Sequence, residues 1–143
     1  MMASNLERFP SVEWFQKLAD ITVEDENYRR YGRLNALIAF KYGKTNISCN
    51  FDVLDINNIH QINDDELRDV DVVVEMPTNI WDEMLENISE NGHATGEWTL
   101  NTLDLRLEEE IHKNLMEDGF KADLFFRYNP SLQVFIDNAS KLI

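Results

Sequence analysis

The chain has 143 residues, of which 43% are hydrophobic and 10% aromatic, so it is long and apolar enough for one domain with one core. Its 27 acidic and 13 basic residues give a net charge of -14, which repels nucleic-acid phosphates and anionic lipid headgroups. We therefore expect no nucleic-acid partner and no stable membrane insertion. No run of ~20 apolar residues and no signal-peptide pattern in "MMASNLERFPS" is found, which predicts a cytoplasmic protein.

The first segments predict a helix followed by a β-hairpin. In "SVEWFQKLAD", Ser11 is a suitable N-cap and the apolar residues after it have helical spacing. "TVEDENYRR" continues this pattern weakly. "RLNALIAFKYG" is an apolar strand, "YGKT" suits a tight turn, and "NISCNFDV" alternates strictly. The apolar face of this second strand is predicted to contain Ile47, Cys49, Phe51 and Val53.

A polar connection, another strand and the clearest helix come next. "DINNIHQINDDELRD" is predicted to be a loop or a ragged hairpin end. "VDVVVEM" alternates, with Val70, Val72, Val74 and Met76 on one face. "TNIWDEMLENISENG" has a helical apolar stripe, with Thr78 or Asn79 as its cap and Asn91-Gly92 as its stop. The stripe contains Ile80, Trp81, Met84, Leu85 and Ile88.

The last third is predicted to contain two strands and two helices. Trp98, Leu100 and Thr102 alternate, so we expect a strand that changes near Asp104 into a helix ending at Gly119. "KADLFFRYN" alternates again and predicts a strand, while "PSLQVFIDNASKLI" predicts a closing helix. The predicted strand face is Ala122, Leu124, Phe126 and Tyr128; the helix stripe is Leu132, Phe135, Ile136, Ala139 and Leu142 or Ile143. Residues 1–143 are thus expected to form one α+β domain, with helices on one face of a mostly antiparallel sheet.

No motif predicts a metal site or a cofactor. The thiol of Cys49 lies on an apolar strand face, where it packs as a small hydrophobe. Glu109 and His112 share a helical face, but a two-metal bundle site needs a second copy of that pair. Residues 55–66, "DINNIHQINDDE", lack the glycine that a calcium loop needs at its sharp turn. We therefore expect no catalytic residue, no cofactor and no metal.

An acid–base enzyme acting in an apolar cup is the alternative. Such an enzyme needs a buried carboxyl or phenol with a shifted pKa. Asp104, Asp123, Tyr28 and Tyr128 are the candidates, and an exposed or packing role is the simpler interpretation of each. The apolar side chains nevertheless exceed what a short sheet needs. They are interpreted either as core or, in part, as the wall of a cavity for a lipid-like ligand.

Several stretches make the chain similar to the sterol carrier protein domain family, and together they cover most of it. "FPSVEWFQKLAD" resembles the opening helix of that family, and "DVVVEMPTNIWDEMLENI" resembles its central strand, turn and helix. "ATGEWTLNTLDLRL" resembles the following strand, and "KADLFFRYNPSLQVFIDNASKLI" resembles the closing elements. In "NTLDLRLEEEIHKNLMEDG" the chain is longer and more charged than the family pattern.

The resemblance implies a five-stranded sheet with helices over one face and an apolar tunnel between them. It also implies non-catalytic binding and transfer of a sterol, fatty acid or acyl-CoA. Carried over by position, the tunnel lining would be Trp81, Met84, Leu85, Ile88, Trp98, Leu100, Leu132, Phe135 and Ile136. The other hypotheses are a small cup-shaped isomerase or lyase, and an accessory subunit that presents substrate to a partner enzyme.

Residues 27–44 form a basic stretch inside this acidic chain. It holds five basic residues and no acid, so the rest of the chain has 8 bases, 27 acids and a net charge of -19. The bases are Arg29, Arg30, Arg33, Lys41 and Lys44. One interpretation is ordinary ion pairing across the sheet. The other is a cationic rim of Arg29, Arg30 and Arg33 that holds a carboxylate or phosphate, or meets an acidic partner.

Overall fold

The computed structural model describes residues 9–31 and 34–142, which form seven α-helices, five strands and three 3-10 segments. The helices are α1 Val12–Val23, α2 Glu26–Tyr31, α3 Thr78–Asn91, α4 Leu100–Arg106, α5 Gly119–Ala122, α6 Leu124–Arg127 and α7 Asn129–Asp137. The strands are β1 Asn35–Tyr42, β2 Thr45–Asp52, β3 Asp55–Ile62, β4 Val72–Glu75 and β5 His112–Lys113. The 3-10 segments are Asp64–Asp69, Gly96–Trp98 and Asn138–Leu142. Within the described ranges, no helix combines the length and apolar character that crossing a membrane requires.

The five strands form one sheet in the order β3-β2-β1-β4-β5. Three neighbouring pairs are antiparallel, and only β1 and β4 run parallel. Ile38 in β1 lies opposite Cys49 of β2 and Val72 of β4. The first hairpin and the α+β class are therefore confirmed, as is the mostly antiparallel five-stranded sheet.

Alternation along the strands separates two apolar layers. Ile38 and Phe40 of β1 face the main core, to which the helices contribute their buried residues. Ala39 of β1 and Val73 of β4 face the other side, where Leu67 of the first 3-10 segment covers them. Val70, predicted on the face of Val72, belongs to this second cluster because strand pairing begins only at Val72. The α-helices thus lie over one face, as expected.

Local signals define α1 and α3. The side chain of Ser11 accepts a hydrogen bond from the amide of Trp14 at 3.0 Å, which confirms the predicted cap of α1. The start of α3 has Pro77 at its N-cap, with no side-chain cap from the predicted Thr78 or Asn79. Its end is as predicted, because Gly92 takes the left-handed conformation at φ 80° and donates to the carbonyl of Ile88.

Replacing Gly92 with alanine is expected to destabilise the protein by about 1–2 kcal/mol, since a Cβ is disfavoured in the left-handed region. Nothing lies within 4 Å of the added Cβ, so the cost comes from the backbone alone. The matched control is Gly119→Ala, where the Cβ also meets nothing and no positive φ is required. Urea unfolding of both variants tests this; equal stabilities would contradict the role assigned to Gly92.

The polar connection after β2 was predicted to be a loop or a ragged hairpin end; residues 55–62 instead form the regular strand β3, which pairs antiparallel with β2. This edge strand buries only Ile56 and Ile62 deeply, so its sequence lacks strong alternation. Side-chain amides add to the pairing, with Asn50 Nδ2 donating to Asn57 Oδ1 at 3.0 Å. Val53, predicted to be buried, lies in the β2–β3 turn at φ 58° and is 43% exposed.

The region from residue 98 to 128 also differs from the prediction. Residues 100–106 form helix α4, capped by Thr99, and the predicted strand is absent there because Leu100 and Leu103 are buried with helical spacing. The predicted helix to Gly119 is replaced by the two-residue strand β5 and turns. Residues 119–127 form α5 and α6 instead of a strand, and the Asp118 side chain caps α5.

The final helical prediction is correct over residues 129–142. Helix α7 and the last 3-10 segment bury the expected stripe, which contains Leu132, Phe135, Ile136, Ala139 and Leu142. Ile143, offered as the alternative last member, lies outside the described residues. Leu100 at the start of α4 donates its amide to Gln133 Oε1 at 2.8 Å, which fixes α7 against α4.

Candidate ligand-binding site

The residues predicted to line a tunnel gather in the main core. Eight of the nine are at most 1% exposed, and Trp98 is half-buried against the same cluster. The indole of Trp81 donates to the carbonyl of Lys41 at 2.9 Å, and Phe135 contacts the rings of Phe40 and Phe51 at 5.7 and 5.0 Å. Among the described residues these side chains fill the core by packing on one another, and none of them lines either cleft described next.

A cleft of about 750 Å³ lies where α2, the start of β1, the β2–β3 turn and the start of α7 meet. We call it the arginine cleft. Three consecutive residues of α2 and four residues around the α6–α7 junction supply most of its wall. The lining residues are Arg29, Arg30, Tyr31, Asn35, Val53, Arg127, Tyr128, Pro130 and Ser131. No aspartate or glutamate is among them, although the chain has 27 acids.

The three guanidinium groups differ in what holds them. Arg29 donates from Nη1 to the carbonyl oxygen of Val23 at 3.2 Å. Arg127 lies 5.1 Å from the ring centroid of Phe120, and its Nη2 is 3.9 Å from Asp123 Oδ2. Arg30 has no ion pair or hydrogen bond to any residue that the structure describes. Two of the three cations therefore face the cleft without a carboxylate partner.

The two ends of the basic stretch have different environments. Arg29 and Arg30 of the predicted rim reach the arginine cleft, whereas Arg33 lies outside the described residues. Lys41 instead pairs with Asp64, with Nζ 2.9 Å from Oδ1. The pKa of Asp64 is lowered by a hydrogen bond from Asn46 and then by Lys41. Lys41 is thus an ordinary ion-pair partner, whereas Arg29 and Arg30 line the arginine cleft.

Two polar atoms on the elements that frame the cleft lack hydrogen-bond partners among the described residues. They are the hydroxyl of Tyr28 in α2 and Nδ2 of Asn129 at the start of α7. Burial, and secondarily the charge of Asp55, raises the pKa of Tyr28 far above its usual value. Its phenol therefore stays protonated and cannot act as a base near neutral pH. Of the other acid–base candidates, Tyr128 lines the cleft and Asp123 is an exposed partner of Arg127.

The remaining candidate, Asp104, is deeply buried and pairs with His112. Its Oδ1 accepts from His112 Nδ1 at 2.7 Å and from the amide of Ile111 at 2.8 Å. The side chains are 2% and 3% exposed, and Phe125 stacks on the imidazole with centroids 4.5 Å apart. No sequence pattern predicted that these two residues pair. The pair holds the 107–111 loop between α4 and β5 closed.

A second cleft, of about 500 Å³, adjoins that loop and is acidic. Four glutamates line it, and Lys113 pairs with one of them, Glu75, at 3.2 Å. The glutamates are Glu75, Glu108, Glu109 and Glu110. Within the part of the chain that the structure describes, no cluster of His, Cys, Asp and Glu side chains is arranged to hold a metal ion. Cys49 is fully buried and burial raises the pKa of its thiol, which confirms its placement in the core.

Comparisons of this chain with protein-family models, with curated proteins and with solved structures found no match. The fold defines a single α+β domain with a five-stranded sheet. The arginine cleft differs from the acidic chain around it. It has a volume of about 750 Å³, and its lining residues include three arginines and no acid.

Proposed function

We propose that the protein is a non-catalytic binding and transfer domain for one amphiphilic molecule of the fatty-acid or acyl-CoA class. The anionic end of the ligand binds in the arginine cleft. The observation that carries the proposal is the convergence of Arg29, Arg30 and Arg127 on a cleft whose described lining includes no acid. A neutral sterol, which belongs to the same apolar class, would gain nothing from these charges and is expected to bind more weakly.

The size of the cleft supports a small organic ligand, because binding pockets usually enclose about 300–1,000 Å³. Guanidinium groups recognise carboxylates and phosphates through paired N–H donors, and such charge-assisted bonds are stronger than neutral ones. In a chain of net charge -14, a cleft lined by three arginines and by no acid also attracts an anion that the remaining surface repels.

The apolar body of the ligand would lie along Tyr31, Val53 and Pro130 in the wall of the cleft. Each buried methylene contributes about 0.8 kcal/mol, so about ten of them contribute roughly 8 kcal/mol before ordering costs. That amount is sufficient for micromolar affinity once the anionic end adds its own contacts.

Neutralising two arginines tests the proposal with a matched pair of ligands. Dodecanoate and dodecanol have the same chain length and differ in the charge of the end group. In the double variant Arg30→Gln/Arg127→Gln, we expect the Kd for dodecanoate to rise about 10–100-fold, because charge-assisted bonds contribute about 1.5–3 kcal/mol. The Kd for dodecanol should stay unchanged in the same calorimetric titration.

The control variant is Arg68→Gln, since Arg68 is an exposed arginine on the first 3-10 segment and does not line the cleft. It should bind both ligands like the unmodified protein. Equal weakening of dodecanoate and dodecanol in the double variant, or no binding of either ligand to the unmodified protein, would sink the proposal.

A further inference from the structure

We infer that the anionic group best matched to the arginine cleft is a phosphate monoester, a dianion, rather than a carboxylate. The inference rests on the proposed function, whose ligand it specifies. It depends on how many cations reach the cleft and on how little of their charge is neutralised.

The charges around the cleft leave room for more than one negative charge. Arg29 is held by a neutral backbone carbonyl, which does not neutralise it. Arg30 has no partner among the described residues. Arg127 has one carboxylate near it, that of Asp123, which is 60% exposed and 3.9 Å away. A carboxylate ligand would neutralise only one of these three cations.

The geometry of the donors also favours a phosphate. A guanidinium presents a planar fork that donates to two oxygens at once, and one fork engages both oxygens of a carboxylate, leaving one lone-pair site on each oxygen for further donors. A phosphate monoester has three free oxygens and about -1.5 to -2 charges at pH 7, so it serves two forks together. Asn35 and Ser131 add an amide and a hydroxyl to the same wall.

The test uses three ligands that each have a twelve-carbon chain: dodecyl phosphate, dodecyl methyl phosphate and dodecanoate. The first is a monoester with a second pKa of about 6, whereas the methyl diester keeps a single charge throughout the pH range. At pH 8 we expect the monoester to bind the unmodified protein at least about tenfold more tightly than the other two. At pH 5.5 about a quarter of the monoester is still the dianion, so its advantage over the diester should fall from about tenfold to about threefold. The diester controls for any effect of pH on the protein itself.

The possible outcomes of this test distinguish a failure of the dianion preference from a failure of the proposed function. If all three ligands bind with equal affinity at both pH values, and all weaken in Arg30→Gln/Arg127→Gln, the dianion preference is overturned and the binding function stands. If none binds, both fail. Inorganic phosphate is the fourth probe. If inorganic phosphate displaces dodecyl phosphate at equal concentration, the apolar tail adds no affinity. The preference for phosphate then stands, but the ligand in the proposed function loses its apolar tail.

Discussion

The variant His112→Leu is expected to lower the free energy of unfolding by about 3–5 kcal/mol at pH 7. The carboxylate of Asp104 would remain buried and would lose its closest partner, the imidazole at 2.7 Å. Removing one member of a buried pair is costly because the other charge is left without compensation. The Ile111 amide, at 2.8 Å, would be its remaining hydrogen bond to a described residue. Urea unfolding of the variant measures the loss.

Two further variants make this prediction specific. Asp104→Asn in the His112→Leu background keeps an acceptor for the Ile111 amide and removes the charge, so it should restore part of the lost stability. His60→Leu is the control, because His60 is exposed on edge strand β3 and should change stability by less than about 0.5 kcal/mol. Equal losses of unfolding free energy in His112→Leu and His60→Leu would show that the buried pair does not stabilise the protein more than an exposed histidine does.

The variant Phe135→Ala is expected to destabilise the protein by about 3–5 kcal/mol, the usual cost of removing a fully buried phenyl ring. Phe135 is 0% exposed and lies among Phe15, Phe40 and Phe51, with centroid distances of 6.3, 5.7 and 5.0 Å. Few neighbours could fill the space that the ring leaves, because all three rings are also held by the sheet or by α1.

The control for this prediction is Phe120→Ala. Phe120 is 67% exposed and contacts the guanidinium of Arg127, so its removal should cost no more than about 1 kcal/mol. Thermal and urea unfolding of both variants should separate them clearly. A Phe135→Ala protein as stable as the unmodified one would mean that the ring occupies a loosely packed space, as a tunnel wall would.

The sequence-based predictions were most accurate for elements that bury one face, because such burial produces a regular apolar pattern. Strand β2 alternates and α3 repeats with helical spacing, because the apolar side of each element meets the main core. Strand β3 was missed because an edge strand with mostly exposed side chains needs little apolar alternation. Residues 122–128 alternate by coincidence: Phe126 is 46% exposed and Phe125 is buried, so the apolar spacing did not follow burial.

The candidate site was predicted in part. Arg29 and Arg30 were identified because they interrupt the acidic composition of the chain. Arg127 was not, since about a hundred residues separate it from them and only the packing of α2 beside α7 brings them to one cleft. The partnership of Asp104 with His112 was missed for a similar reason, because a predicted helix through residue 119 would have placed them on different turns rather than across a closed loop.

The central claim is that an anionic group binds at Arg29, Arg30 and Arg127. The most direct measurement is an NMR titration that follows the side-chain Nε–Hε signals of the arginines while dodecanoate is added. We expect saturable shifts with 1:1 stoichiometry at the three cleft arginines, and no shift at Arg68 or at Arg106, whose guanidinium lies 5.0 Å from the ring centroid of Trp98. Dodecanol at the same concentration should shift the cleft signals much less, because its hydroxyl has no charge to pair with the guanidinium groups. Shifts at Arg68 and Arg106 as large as those in the cleft, or none in the cleft, would contradict the claim.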